Sequence, residues 1–340
     1  MNSLSTLDHF KHFSSLLGKN FDLVQGAGGN TSIKLENNKM LVKASGMWLS
    51  DADEKNIFCE VDYSIVRENI KRRSKTLVSG AYDDSLSLRP SIETVLHALL
   101  QQKVVFHVHS LSAISWLVVE GNDESIGEIL NGISWVRVPY AKPGVDLATL
   151  CLDALKKRPN AEVILLDNHG LVVAGESVEA AYSLTLEVHS KLERSARKFK
   201  KPNIALLQEK CANTDFMPSS SLLLHQIALF KDMVQKSCAG TLYPDHVVFL
   251  GPAATVLTKS QRLEDLAHKL DLTAYSPIII LEDIGVLVPK SISPAASLMA
   301  DALSSVLLRV PESASLKYLA ITDVNELMHW EAEKFRRKVN

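Results

Sequence analysis

At 340 residues and 46% hydrophobic content the chain is long enough for two domains that each bury a core, and its formal net charge of −2, with Lys and Arg spread along the sequence, excludes a nucleic-acid-binding face. Cys59, Cys151, Cys211 and Cys238 lie far apart with no C-x-x-C pair, which excludes a disulfide framework and a zinc finger and leaves reduced core residues of a cytoplasmic protein. Apolar runs such as 114–119 and 278–281 fall well short of the roughly 20 residues that cross a bilayer, so no membrane span is expected.

In chain order, residues 1–19 carry Asp8, His9, Lys11 and His12 where a signal peptide would need an unbroken apolar stretch, so export is not expected. A glycine-rich turn follows, Gln25-Gly26-Ala27-Gly28-Gly29-Asn30-Thr31-Ser32, and leads into a strand. It has neither the Gly-Lys-Ser/Thr of a Walker loop nor the final glycine and helix of a Rossmann fingerprint. Its backbone N–H groups, with the side chains of Asn30 and Thr31, suit an anion, although an ordinary glycine turn reads the same way. From 21 to 197, short β-branched runs (40–44, 104–108, 163–166, 171–173) alternate with helical periodicities (92–102, 178–198), which predicts an α/β layer domain. The basic run 71–75 reads as a solvated face. Residues 199–221 lose periodicity and gather Lys200, Lys201, Pro202, Asn203, Pro218 and serines, as a linker does. The expected division is therefore a domain over 1–212 and a smaller α/β domain over 213–340. The second has strands near 247–250 and 278–288 and helices near 262–270, 295–308 and 324–339.

The two halves share a pattern. Ile164-Leu165-Leu166-Asp167-Asn168-His169-Gly170-Leu171-Val172-Val173 lies over Ile279-Ile280-Leu281-Glu282-Asp283-Ile284-Gly285-Val286-Leu287-Val288 at a shift of 115 (284 − 169), and Val104-Val105-Phe106-His107 resembles Val247-Val248-Phe249-Leu250. Two readings stand level: a degenerate repeat whose histidines have become Leu250 and Ile284, or two unrelated strand–turn–strand units with apolar cores.

The chemistry-bearing residues begin with His107-Val108-His109, where strand period 2 sends both imidazoles to one face. Alone, such a pair is more often surface decoration than a ligand set. His169 supplies a third donor at a turn between two apolar strands, with Gly170 expected to permit the bend. Three neutral imidazoles leave a fourth tetrahedral position open, as in catalytic zinc sites. In Arg89-Pro90-Ser91-Ile92-Glu93-Thr94-Val95-Leu96-His97, Ser91 reads as a helix N-cap and Glu93 as a first-turn carboxylate. On local sequence alone the better reading of Glu93 is structural, serving the helix dipole and pairing with His97 one turn later.

Taken together, Gly28-Gly29-Asn30-Thr31-Ser32, Ala44-Ser45-Gly46, Pro90-Ser91-Ile92-Glu93 with His97, His107-Val108-His109, Pro139-Tyr140-Ala141 and Asn168-His169-Gly170-Leu171 resemble, in order and spacing, the class II aldolase/adducin family. Its best-known members are the fuculose phosphate and rhamnulose phosphate aldolases. The resemblance implies a central, mainly antiparallel sheet flanked by helices, and one Zn2+ or another divalent ion per chain on His107, His109 and His169. It further implies Glu93 as the catalytic residue, a homo-oligomer, and sugar or sugar-phosphate contacts from Gly28, Asn30, Thr31, Ser45, Gly46 and Ser91. The implied reaction is aldol cleavage or formation of a ketose C–C bond through a metal-stabilised enediolate. Alternatives are sugar-phosphate epimerisation or dehydration at the same centre, or a non-catalytic adducin-like scaffold. The intact histidine triad argues against the scaffold. The second unit, with Pro244-Asp245-His246 and the Trp330-Glu331-Ala332-Glu333-Lys334 helix, is similar to the region after the aldolase domain of longer bifunctional rhamnulose-phosphate aldolase/dehydrogenase proteins. The family's proton-donating tyrosine falls in a stretch shortened between Gly121 and Ile133, which leaves Tyr140 as a weak candidate. Where relatives read Ser-Ser-Glu, this chain reads Ser91-Ile92-Glu93; Lys43 and Arg89 are candidate replacements for the missing anion contact.

Overall fold

The computed structural model describes residues 6–74, 76–258, 261–268, 270–272 and 274–338. Residues 1–5 of the N-terminal reading, Lys75 of the basic run, Lys269 within the helix expected near 262–270 and Val339 at the end of the last expected helix lie outside them. The chain forms two compact units, Met1–Leu117 with Asn122–Glu193, and Val118–Gly121 with Arg194–Asn340. This division falls ahead of residue 212 because the intervening segment already bonds within the second unit. Arg197 donates its backbone N–H to Leu308 and its guanidinium to Asp232.

The first unit opens with α1 (Thr6–Lys19), then strands β1 (Asn30–Lys34), β2 (Lys39–Lys43) and β3 (Phe58–Asp62). Asn37 and Asn38 close the β1–β2 hairpin at φ 55° and 60°, the left-handed pair that a tight primed turn demands and that asparagine tolerates. After α2 (Tyr63–Lys71) and α3 (Thr94–Leu99) come β4 (Val104–Val108), α4 (Leu111–Leu117), α5 (Asp123–Ile129), β5 (Trp135–Val138), α6 (Val145–Lys157), β6 (Val163–Leu166), β7 (Gly170–Gly175) and α7 (Val178–Lys191). Among the described residues seven strands form one sheet in the order β3-β2-β1-β4-β7-β6-β5, antiparallel throughout except for the β5–β6 pair at the edge. Strand alternation divides the core. Val104, Phe106 and Val108 pack with Phe10 of α1 and Val188 of α7 on one face, while Val105, Ile164 and Val172 pack with Leu96 of α3 and Leu147 of α6 on the other. The expected central, mainly antiparallel sheet with flanking helices is what the chain builds.

The second unit contains α8 (Ile204–Lys210), β8 (Phe216–Pro218), α9 (Leu222–Leu229), α10 (Lys231–Cys238), α11 (Pro244–Leu250), β9 (Thr255–Val256), α12 (Leu263–Ala267), β10 (Ile279–Leu281), β11 (Gly285–Pro289), α13 (Pro294–Arg309), α14 (Ile321–His329) and α15 (Glu331–Lys338). Its described strands order as β8-β11-β10-β9. The strand expected near 247–250 is instead helix α11. Pro244 occupies its first turn, Asp245 favours that end of the dipole, and Gly251 ends it at φ 86°. A four-residue apolar run buried on all sides cannot be told from a strand by periodicity. The shared hairpin, by contrast, recurs to the residue. Ile164↔Val172 and Leu166↔Gly170 correspond at the same shift to Ile279↔Leu287 and Leu281↔Gly285, and Asn168 and Asp283 take φ 53° and 59°. The likeness stops at the hairpin and the helix after it, since Leu250, on α11, has no strand to share with His107. No described helix is long and apolar enough to cross a membrane.

Candidate metal centre

His107 sits on β4 with β1 on one side and β7 on the other, paired across the strands with Asn30 and Val172. The pairing Val108↔Leu171 draws the β6–β7 turn alongside His109. Two glycines make room at this end of β4. A Cβ at Gly29, which has φ +57°, would stand 2.8 Å from the His107 carbonyl oxygen, and one at Gly170 would stand 2.6 Å from that of Val108. The bend before β7 is made by Asn168 at φ 53°, so Gly170 serves close approach rather than the turn itself.

Helix α3 begins later than expected, with Glu93 at its N-cap position and no side-chain cap. Ser91 lies ahead of it, where its hydroxyl accepts the Glu93 backbone N–H at 3.3 Å. Glu93 does not pair with His97. Its Oε1 lies 2.8 Å from His169 Nε2 and 3.4 Å from His107 Nε2, and its Oε2 accepts from Asn30 Nδ2 at 2.7 Å. His107 and His109 bring their Nε2 atoms to 3.2 Å. The donor atoms of Glu93, His107, His109 and His169 all lie within 4.8 Å of one another, and all four residues are buried. Burial alone would raise the Glu93 carboxyl, but the facing His107 and His169 imidazoles pull it well below the usual carboxylate range.

The donor set fits a divalent cation. His107 gives its Nδ1–H to the Leu171 carbonyl at 3.1 Å, which leaves a lone pair on Nε2. That lone pair converges with a carboxylate oxygen and the His109 and His169 imidazoles in a buried place. Imidazoles with a carboxylate suit zinc and other divalent transition metals.

The residues named for substrate contact are only partly brought together. Asn30 donates to Glu93 and, at 3.3 Å, to Ser91 Oγ. An antiparallel bridge from Ala44 to Pro90 and the Ser45 N–H to the Arg89 carbonyl at 2.8 Å hold Ser45 and Gly46 beside Ser91. Thr31 points to the opposite face of β1, where it bonds Ser14 at 2.8 Å, and the Gly28 N–H closes its own turn on the Gln25 carbonyl. Lys43 is 2% exposed, and its ammonium donates to the carbonyls of Ala27 at 2.9 Å and Met47 at 2.6 Å, tying the two loops together. Arg89 is exposed. Tyr140 follows edge strand β5, with β6 and β7 between it and β4. Sequence reasoning counted His97 and Ser32 among the family motifs, and read His97 as a partner of Glu93, but gave neither a place beside Asn30, although their spacing from Glu93 and Asn30, one helical turn and one strand repeat, was a usable signal.

Residues 12–195 match the family model of the class II aldolase and adducin N-terminal domain. The N-terminal class II aldolase domain of a conserved protein from Thermoplasma acidophilum is similar at 26% identity and a TM-score of 0.50, over 56% of this chain and 94% of that one. A sugar-phosphate aldolase from Thermotoga maritima is similar at 16% identity and a TM-score of 0.44, over 55% of this chain and 91% of that one. A curated relative, the uncharacterized oxidoreductase YuxG of Bacillus subtilis (strain 168), is 34% identical over 195 residues. That stretch is 53% of this chain but only 28% of YuxG.

Proposed function

The chain belongs to the class II aldolase and adducin family, and from that premise we propose that it is a zinc-dependent aldehyde-lyase cleaving or forming a C–C bond in a ketose or ketose phosphate. The observation that carries the proposal is the buried convergence of Glu93, His107, His109 and His169 within 4.8 Å. His107, His109 and His169 would hold the ion, which when bound supplies Lewis acidity toward a carbonyl substrate.

In cleavage of a β-hydroxy ketone, the hydroxyl proton passes to solvent as the C–C bond breaks and the hydroxyl carbon becomes an aldehyde. The freed carbon of the other fragment then takes up a proton. Glu93 is suited to move that second proton: as a carboxylate it would take the proton from the carbon acid in C–C bond formation, and once protonated it would return it in cleavage, while Asn30 holds Oε2 and Oε1 faces the histidines. Ser45, Gly46 and Ser91 would receive the substrate's anionic group. The buried Lys43 ammonium, held by the Ala27 and Met47 carbonyls, adds a positive field. A phosphorylated ketose is therefore favoured over a neutral sugar. The partner is a small molecule rather than nucleic acid or membrane, and the working protein is a cytoplasmic homo-oligomer.

Metal analysis with turnover of phosphorylated and unphosphorylated ketoses tests this reading, and product analysis separates cleavage from epimerisation and dehydration. The expected result is about one zinc per chain, lost together with activity in His169→Ala. Full zinc occupancy in that variant, or turnover unchanged after chelation, would sink the proposal.

A further inference from the structure

Helix α3 presents Glu93 and His97, one turn apart, to the same strand, where Asn30 and Ser32 share a face of β1. His97 is fully buried and lies between two side chains, with Nδ1 2.8 Å from Ser32 Oγ and Nε2 bonded to Asn30 Oδ1. Donor and acceptor roles follow from the groups themselves. The Glu93 carboxylate can only accept, so the NH2 of Asn30 faces it. The Oδ1 of Asn30 can also only accept, so His97 carries its hydrogen on Nε2 and takes the Ser32 hydroxyl hydrogen at Nδ1. Burial, with His107 and Lys34 nearby, lowers His97 to about 3, which keeps it in this neutral form.

We propose that His97 is a positioning residue: it locks the Asn30 amide so that its NH2 holds Glu93 Oε2, leaving Oε1 turned to the histidines. Ser32, His97, Asn30 and Glu93 thus form one chain of donors that ends on the carboxylate. A consequence is that Asn30, with Nδ2 on Glu93 and Ser91, serves the acid rather than a substrate phosphate, and the anion contact passes to Ser45, Gly46 and Ser91. The catalytic value of Glu93 rests on the reading of the preceding subsection, but the hydrogen-bond chain does not.

Crystal structures, zinc content and turnover of the full chain carrying His97→Leu, His97→Asn or His97→Gln test this. Glutamine reaches as far as Nε2 and restores a donor to Asn30, whereas asparagine reaches only the Nδ1 position. In the Gln variant the 2.7 Å Asn30–Glu93 contact should persist. Turnover there should stay within about threefold of the parent, whereas the Leu and Asn variants should lose the contact and fall roughly 10–100-fold in kcat at similar KM and zinc content. Should no sugar be turned over, the crystallographic contact alone decides. Retention of that contact in His97→Leu, or equal losses in the Gln and Leu variants at equal melting temperature, would overturn the proposal.

Discussion

Glu93 has one oxygen toward His169 and the other toward Asn30, and its carboxyl is drawn below the usual range against the cost of its burial. Glu93→Gln retains the shape and one carbonyl oxygen but cannot carry a proton. The variant should keep zinc bound by the three histidines and lose roughly 10²–10⁴-fold in turnover, the usual worth of a positioned acid–base group. Metal analysis beside single-turnover kinetics checks both halves; unchanged turnover would return Glu93 to a purely structural role. Local sequence alone favoured that structural role, and only the family resemblance made Glu93 catalytic, because the local pattern of a helix start with His97 one turn on contains nothing of the strand opposite.

At the scale of elements, the β6–β7 hairpin delivers His169, and two of its residues divide the work. Asn168 makes the bend at φ 53°, while Gly170 lets β7 approach the Val108 carbonyl. Gly170→Ala places its methyl 2.6 Å from that oxygen. Such overpacking should cost roughly 1–3 kcal/mol, with zinc affinity falling as the turn is pushed from His109. Asn168→Gly should keep the bend and leave zinc affinity near the parent's, because glycine adopts the same left-handed conformation freely. Thermal melts with zinc titration distinguish the two, and a large loss at Asn168 with none at Gly170 would reverse the assignment. The tip of the second hairpin carries Ile284 where the first carries His169, so one backbone design serves a polar centre in one unit and an apolar core in the other.

Across the whole molecule, Asp232 ties the segment that enters the second unit to its core. It accepts from Arg197 twice at 2.7 Å and from Lys236 at 3.0 Å. Burial would raise this carboxyl, but the two cations hold it at about 2, below its ordinary 3.8. A carboxyl depressed in the folded state stabilises the fold above its ordinary value and loses that contribution as pH falls from there toward about 2. Asp232→Asn should therefore be less stable by roughly 2 kcal/mol near neutral pH. Urea unfolding at neutral pH and at about pH 2 should show the gap shrinking at the acid end, and a gap independent of pH would refute the assignment. What the sequence determined by itself was whatever is periodic or ordered along the chain: the alternating strands, the shared hairpin at a constant shift, the three histidines and the family motifs. What only the tertiary structure decided depends on neighbours distant in sequence. The Asn30↔His107 pairing and the side-chain bonds between Glu93, His97 and β1 turn Glu93 toward the imidazoles and His97 onto Asn30, while Thr31 faces away from the site and Lys43 meets two loop carbonyls. The apolar run 247–250 became a helix because a segment buried on all sides carries no period that separates helix from strand, and Pro244 with its neighbours set the choice.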